Sequence, residues 1–119
     1  MAKFLLILHQ APGSYHHLSP TEREQMFGKY QAWMEKLRAA GKLLASDKLR
    51  EEGGKVLTQP KGKLTVVDGP YIEAKEVVGG YFLIQAASYQ EATELARECP
   101  HLGFGRIEVR ETDPMGKVE

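Results

Sequence analysis

The chain has 119 residues, 42% of them hydrophobic, which is enough to build one core in one domain. Sixteen Lys plus Arg balance sixteen Asp plus Glu, so the formal net charge is zero. That balance excludes a global electrostatic pull toward nucleic acid or an anionic membrane. The single cysteine, Cys99, cannot close an internal disulfide, which suits a reducing compartment. The apolar run from Phe4 to Leu8 is too short for a signal-peptide core or a membrane span, so the expectation is a soluble cytoplasmic protein.

Phe4-Leu5-Leu6-Ile7-Leu8 is a continuous apolar run that suits a strand covered on both faces; Ala11-Pro12-Gly13-Ser14 breaks it. A loop carrying His16-His17 leads to Ser19-Pro20-Thr21-Glu22, a capping box with proline at the first helical position. Met26, Tyr30, Trp33, Met34 and Leu37 then form one apolar helical stripe, and Gly41 supplies the stop. Gly28 weakens that helix and would be explained by close packing. Leu43-Leu44-Ala45-Ser46 reads as a strand running back beside the first. Val56-Leu57-Thr58 and Leu64-Thr65-Val66-Val67 flank Gln59-Pro60-Lys61-Gly62-Lys63 as a hairpin.

Asp68-Gly69-Pro70-Tyr71 ends the hairpin in a tight turn, and Glu73 to Glu76 is read as one helical turn. Gly79-Gly80 leads into the strand Tyr81 to Ala86, apolar toward both faces. Ser88-Tyr89-Gln90-Glu91 repeats the capping pattern before a second helix with the stripe Ala92, Leu95, Ala96 and Cys99, ended by Pro100. Ile107 and Val109 alternate with Arg106, Glu108 and Arg110 in a last strand with one wet face. The tail from Thr112 to Glu119 is polar and is expected to be loose.

Two β-α-β halves with a hairpin inserted between them predict an α+β, ferredoxin-like split β-α-β sheet with both helices on one face. Two helices cover only that face, yet Phe4 to Leu8 and Tyr81 to Ile84 are apolar toward both. A second copy of the chain is the simplest cover for the other face, so a homodimer is expected.

The stretch from 68 to 85, DGPYIEAKEVVGGYFLIQ, resembles the signature of the YCII-related family in its DGPF branch. The segments LSPTEREQMFGKYQAWMEKLRAAGKLL and ASYQEATELARECPHLGFGRIEVRE resemble the family's helices and their neighbouring strands, so the likeness runs from Phe4 to Glu111. It implies one YCII-related domain over 1–119, folded as a dimeric α+β barrel. It further implies lyase-type chemistry on small aromatic compounds, with a His–Asp pair suggested as the active site in the simpler branch, and an association of DGPF members with sigma factors. The simpler branch has a His early in the first helix, where this chain has Tyr30.

Asp68 and His101 are the catalytic candidates. A carboxylate at a strand end can act as a general base or orient a histidine; before Gly-Pro it can equally cap a turn. A loop His with an unperturbed pKa near about 6.5 can act as acid or base, or hold charge at a helix C-terminus. Tyr30, Tyr71, Tyr81 and His9 are the ligand-binding candidates, and buried tyrosine hydroxyls would need partners. Trp33 reads as core. His9, His16 and His17 could meet at a metal only by loop folding, and no metal is expected. Glu73, Lys75 and Glu76 read as local turn partners, and Arg106 and Arg110 as a solvated edge.

Two functions follow. One is an enzyme of lyase or isomerase type, free of any cofactor, moving protons between Asp68, His101 and a small, aromatic or enol-like compound. The other is a non-catalytic module that binds a ligand or a partner, tied to sigma-factor regulation. Haem binding through a cavity His is a third, weaker reading. Neither nucleic acid nor membrane is an expected partner.

Overall fold

The computed structural model describes residues 1–114; of the tail expected to be loose, 115–119 lies outside the described residues. The elements are β1 (Ala2–Gln10), α1 (Pro20–Ala39), β2 (Leu43–Lys48), β3 (Lys55–Thr58), β4 (Thr65–Asp68), β5 (Val77–Ala86), α2 (Tyr89–Ala96) and β6 (Gly105–Glu111). Four strands form an antiparallel sheet in the order β2-β5-β1-β6, and β3-β4 stands apart as its own two-stranded sheet. This is an α+β fold in the expected split β-α-β order. β2 pairs with β5 rather than lying beside β1, because β1 already holds β5 and β6 on its two sides. Among the described residues no helix is long and apolar enough to cross a membrane.

Strand alternation decides the core. Phe4, Leu6 and Leu8 of β1 and Phe82, Ile84 and Ala86 of β5 face the helices and are buried with Trp33, Leu37, Ala92 and Ala96. Trp33 meets Phe82 edge-on at 4.8 Å and donates its indole N–H to the Leu95 carbonyl, so the core reading of Trp33 holds. Leu5, Ile7 and Leu83 point to the opposite face and stay only half-buried. The Ser19 capping box forms as the sequence predicts: the Glu22 N–H donates to the Ser19 hydroxyl and the Glu22 carboxylate accepts from the Ser19 N–H. Gly28 packs against nothing within 4 Å, so close packing does not explain it.

The sequence motif at 68–85 is largely explained by backbone approach. A Cβ on Gly53 would sit 1.8 Å from the Gly69 carbonyl oxygen, and one on Gly69 would sit 2.0 Å from that of Gly53. These glycines let the two ends of the hairpin close, and the Gly69 N–H donates to the Gly54 carbonyl. The hairpin turn is a short 3-10 segment, Pro60–Gly62, with Lys61 and Gly62 at positive φ. Gly79 and Gly80 lie inside β5, not before it. Gly80 lets β2 approach, since a Cβ there would lie 2.7 Å from the Asp47 carbonyl oxygen. Glu73 to Glu76 makes no helical turn: Tyr71 to Ala74 closes a turn through the Ala74 N–H and the Tyr71 carbonyl, and Lys75 is a bend.

At the other end, α2 stops at Ala96. Pro100 does not merely end it but opens a 3-10 segment, Pro100–Gly103, that carries His101 into the interior. Thr112, read as part of a loose tail, is tied to β1 by its N–H and hydroxyl, both donated to the Lys3 carbonyl.

Candidate functional site: a tyrosine–histidine chain beside a cavity

A cavity of about 810 Å³ opens between α1 and the β2-β5-β1 side of the sheet. Its walls are mostly apolar: Leu8 and Phe82 from the sheet, and Met26, Phe27, Tyr30 and Met34 from α1. The apolar stripe of α1 therefore divides. Trp33 and Leu37 pack into the core, while Met26, Tyr30 and Met34 face the cavity. Around the same cavity stand Arg23, Glu24, Lys48 and the pair His16–Glu51, joined at 2.7 Å. That pair ties the loop before α1 to the segment after β2 and holds the Glu51 carboxyl below its ordinary range.

Three side chains form a chain of hydrogen bonds leading inward from this cavity. His101 has 0% exposure. Its Nε2 lies 2.9 Å from the His9 carbonyl oxygen. A carbonyl can only accept, so Nε2 carries the proton and Nδ1 keeps a lone pair. The Tyr15 hydroxyl, 3.2 Å from Nδ1, donates to that lone pair. Its oxygen in turn accepts from the Tyr30 hydroxyl at 3.3 Å. The directional order is Tyr30 to Tyr15 to His101, and both tyrosines line the cavity. Tyr15 is held by its ring against Phe104, centroids 4.6 Å apart.

Burial sets the charge of this chain. It is the main cause that pushes the His101 pKa below its ordinary value, countered in part by hydrogen bonding to the backbone of His9 and Arg106. Burial likewise raises the Tyr15 and Tyr30 phenols, Tyr30 strongly because its proton is also held by Tyr15. All three are therefore neutral at neutral pH, and His101 is an unprotonated imidazole with a hydroxyl poised on its lone pair. The alternative of a charged His at a helix C-terminus is not what the fold makes, since an enclosed 3-10 turn removes the water such a charge needs. Nearby Cys99 is also buried, its thiol pushed up to about 11, which leaves it a packing residue rather than a nucleophile.

Of the other residues singled out from sequence, Tyr30 and Tyr81 line the cavity. The Tyr81 hydroxyl donates to Asp47 at 2.9 Å. Tyr71 sits off the cavity wall with its hydroxyl buried and without a partner among the described residues. His9 points to the sheet face away from the helices, between Glu108 at 2.8 Å and Glu76 at 3.6 Å, and reaches the site only through its carbonyl. Asp68 does not pair with His101 within the chain. Its side chain is 83% exposed on the hairpin, in an ion pair with Lys55, its register partner across the ladder. His16 and His17 do not join His9, and among the described residues no group of three His, Cys, Asp or Glu side chains is placed to hold a metal ion. Arg106 forms a two-point pair with Glu76, and Arg110 pairs with Glu108, so this edge is internally paired rather than merely solvated.

Sequence reading missed Tyr15. A lone tyrosine in a loop carries no periodicity, and only the requirement that a buried His and a buried Tyr find partners points toward it. It also missed Gln10, buried at the end of β1 on the cavity wall, because a strand-end glutamine reads as solvent-facing.

Comparison with known proteins agrees with this architecture. An uncharacterised protein of Rhizobium meliloti (strain 1021) is 34% identical over 95 residues, 77% of each chain. The solved structure of 5-chloro-2-hydroxyhydroquinone dehydrochlorinase (TftG) from Burkholderia phenoliruptrix AC1100, complexed with 2,5-dihydroxybenzoquinone, superposes with a TM-score of 0.56 over 93% of both chains at 19% identity, a likeness of fold. The model of the YCII-related domain matches residues 2–115, and the chain belongs to that family.

Proposed function

We propose that the protein is a cofactor-independent acid/base enzyme, of lyase or isomerase type, acting on a small aromatic compound held in the cavity beside α1. The observation that carries this reading is the ordered chain Tyr30–Tyr15–His101, which joins an apolar cavity to a buried neutral imidazole. A proton leaving the bound compound moves to the Tyr30 oxygen as the Tyr30 proton passes to Tyr15 and the Tyr15 proton to His101 Nδ1, making a transient imidazolium whose charge is balanced by the anion left in the cavity. The reverse shift returns a proton to another atom of the same compound. Neither tyrosine need ionise, which suits phenols whose ionised forms burial disfavours. The Tyr30–Tyr15 contact, at 3.3 Å, is longer than the usual O–H···O distance, and it and the 3.2 Å contact from Tyr15 to His101 Nδ1 are expected to tighten when a ligand excludes water. The quinone bound by the structural neighbour is small beside a cavity of about 810 Å³, which supports a ligand of that class here.

In this reading Asp68 serves the hairpin and Tyr81 serves the cavity wall. The DGPY and GGY motifs support a place in the DGPF branch of the family. The working unit is a homodimer. Half-buried Leu5, Ile7 and Leu83 on the uncovered sheet face, and exposed Val56, Leu57, Val66 and Val67 on a hairpin that stands apart from the main sheet, support it. Sedimentation should give twice the 13.3 kDa chain mass.

The test of the chemistry is exchange of the ring C–H of 2,5-dihydroxybenzoquinone with deuterated water, followed by proton NMR. The intact protein should accelerate exchange above the spontaneous rate, and Tyr30→Phe should remove about a hundredfold or more of that acceleration. Equal exchange by Tyr30→Phe would instead favour the non-catalytic ligand-binding reading.

A further inference from the structure

Gln10 is the one buried polar side chain among the described residues that line the cavity. Gln10 is 7% exposed, lies on the cavity wall, and its carboxamide makes no hydrogen bond to any other described residue. The amide atoms themselves are not sealed off: they open onto the cavity, where the polar groups of a ligand can meet them. The fold goes to some length to seat Gln10. Between Leu8 and His9 the pairing of β1 with β5 shifts, and Gly79 is the extra residue, with Leu8 opposite Gly80 and His9 opposite Val78. The Gln10 carboxamide rests on Gly79: a Cβ there would lie 2.3 Å from Gln10 Oε1, 2.7 Å from Cδ and 3.1 Å from Nε2. A bulge and a glycine thus make room for an amide that finds no partner among the described residues.

We propose that Gln10 is a ligand-binding residue that reads two adjacent oxygens on the ring of the bound compound. This rests on the cavity being the ligand site, as argued under the proposed function. A carboxamide presents an acceptor oxygen and a donor NH2 side by side. Its complement is a pair of neighbouring ring oxygens, at least one of them a hydroxyl: the hydroxyl donates to Oε1 and its neighbour accepts from Nε2. An isolated oxygen, or two on opposite ring carbons, leaves half of the amide unpaired. The apolar wall of Leu8, Met34 and Phe82 takes the ring body. Gln10 thereby sets which ring compounds are accepted, while Tyr30 faces the same space with the proton chain behind it.

Catechol and hydroquinone test this, because they are isomers that differ only in whether the two hydroxyls are adjacent. Binding of each is measured by calorimetry under anaerobic conditions. The intact protein should bind catechol about tenfold more tightly than hydroquinone, the worth of one extra satisfied hydrogen bond to a buried group. Gln10→Leu should abolish the preference. Gly79→Ala, which drives a methyl into the carboxamide's seat, should weaken it with Gln10 still present. Equal affinity for the isomers in the intact protein, failure to bind catechol, or a preference that survives in Gln10→Leu would overturn the assignment. Tyr30→Phe separates this from the catalytic reading: it should keep the catechol preference even where exchange activity is lost. A preference without any exchange activity would leave Gln10 assigned and remove the enzyme.

Discussion

Replacing His101 by Gln should change how stability depends on pH, not only how large it is. The imidazole is fully enclosed and its pKa lies below the ordinary value, with burial as the leading cause. In the unfolded chain it returns to about 6.5. Because the folded pKa is depressed, the unfolded state binds more protons between the two values. The stabilising contribution is therefore present above about 6.5 and is lost as pH falls through the folded pKa. One proton taken up on unfolding gives a slope of at most about 1.4 kcal/mol per pH unit across that window. His101→Gln keeps a donor for the His9 carbonyl but cannot titrate, so the other histidines supply the same background in both proteins. Urea unfolding of each at a series of pH values from 8 down to about 4.5 isolates the difference. The intact protein should lose stability more steeply below about 6.5, by up to one proton's slope. Parallel curves for the two proteins, or a His101 ring resonance titrating at or above 6.5, would refute the burial argument and the proton inventory built on it.

Tyr15→Phe removes both hydrogen bonds of the central link. It should cost about 1–3 kcal/mol in urea unfolding, since the buried Nδ1 loses its donor, and should lower quinone exchange at least as much as Tyr30→Phe. Asp68→Asn, on an exposed hairpin, should leave exchange within about twofold and stability within about 0.5 kcal/mol, by the same two assays. Gly28→Ala, in an exposed helical position with open space around it, should stabilise by about 1 kcal/mol in thermal unfolding. Ser19→Ala should cost about 1 kcal/mol by loss of the cap.

Much of the architecture was legible because it follows local chemistry. Ser19-Pro20 and Ser88 cap helices wherever they precede an apolar stripe, and the split β-α-β order follows from the element sequence. What was not legible depends on long-range enclosure. A proline after a helix reads as an exit, yet Pro100 starts a turn whose next residue is wholly buried. Asp68 had a catalytic and a turn-capping reading, and only the cross-strand register with Lys55 on a separate hairpin places its side chain in an exposed ion pair. Gly79 and Gly80 read as the lead into a strand and not as part of it, because glycine is rare in strands. Their reasons, room for Gln10 and for β2, exist only in the assembled sheet. Tyr30 was visible as part of a stripe, but its partner Tyr15 lies in a loop where no pattern marks it.

The most direct test of the central claim is a crystal structure of the protein with 2,5-dihydroxybenzoquinone, read for where the ring sits. The account predicts the ring in the cavity beside α1, with an oxygen within about 2.6–3.2 Å of the Tyr30 hydroxyl and the Tyr15–His101 contact shortened. A ring bound on the hairpin at Asp68, or on the uncovered sheet face with Tyr30 still bonded only to Tyr15, would contradict it.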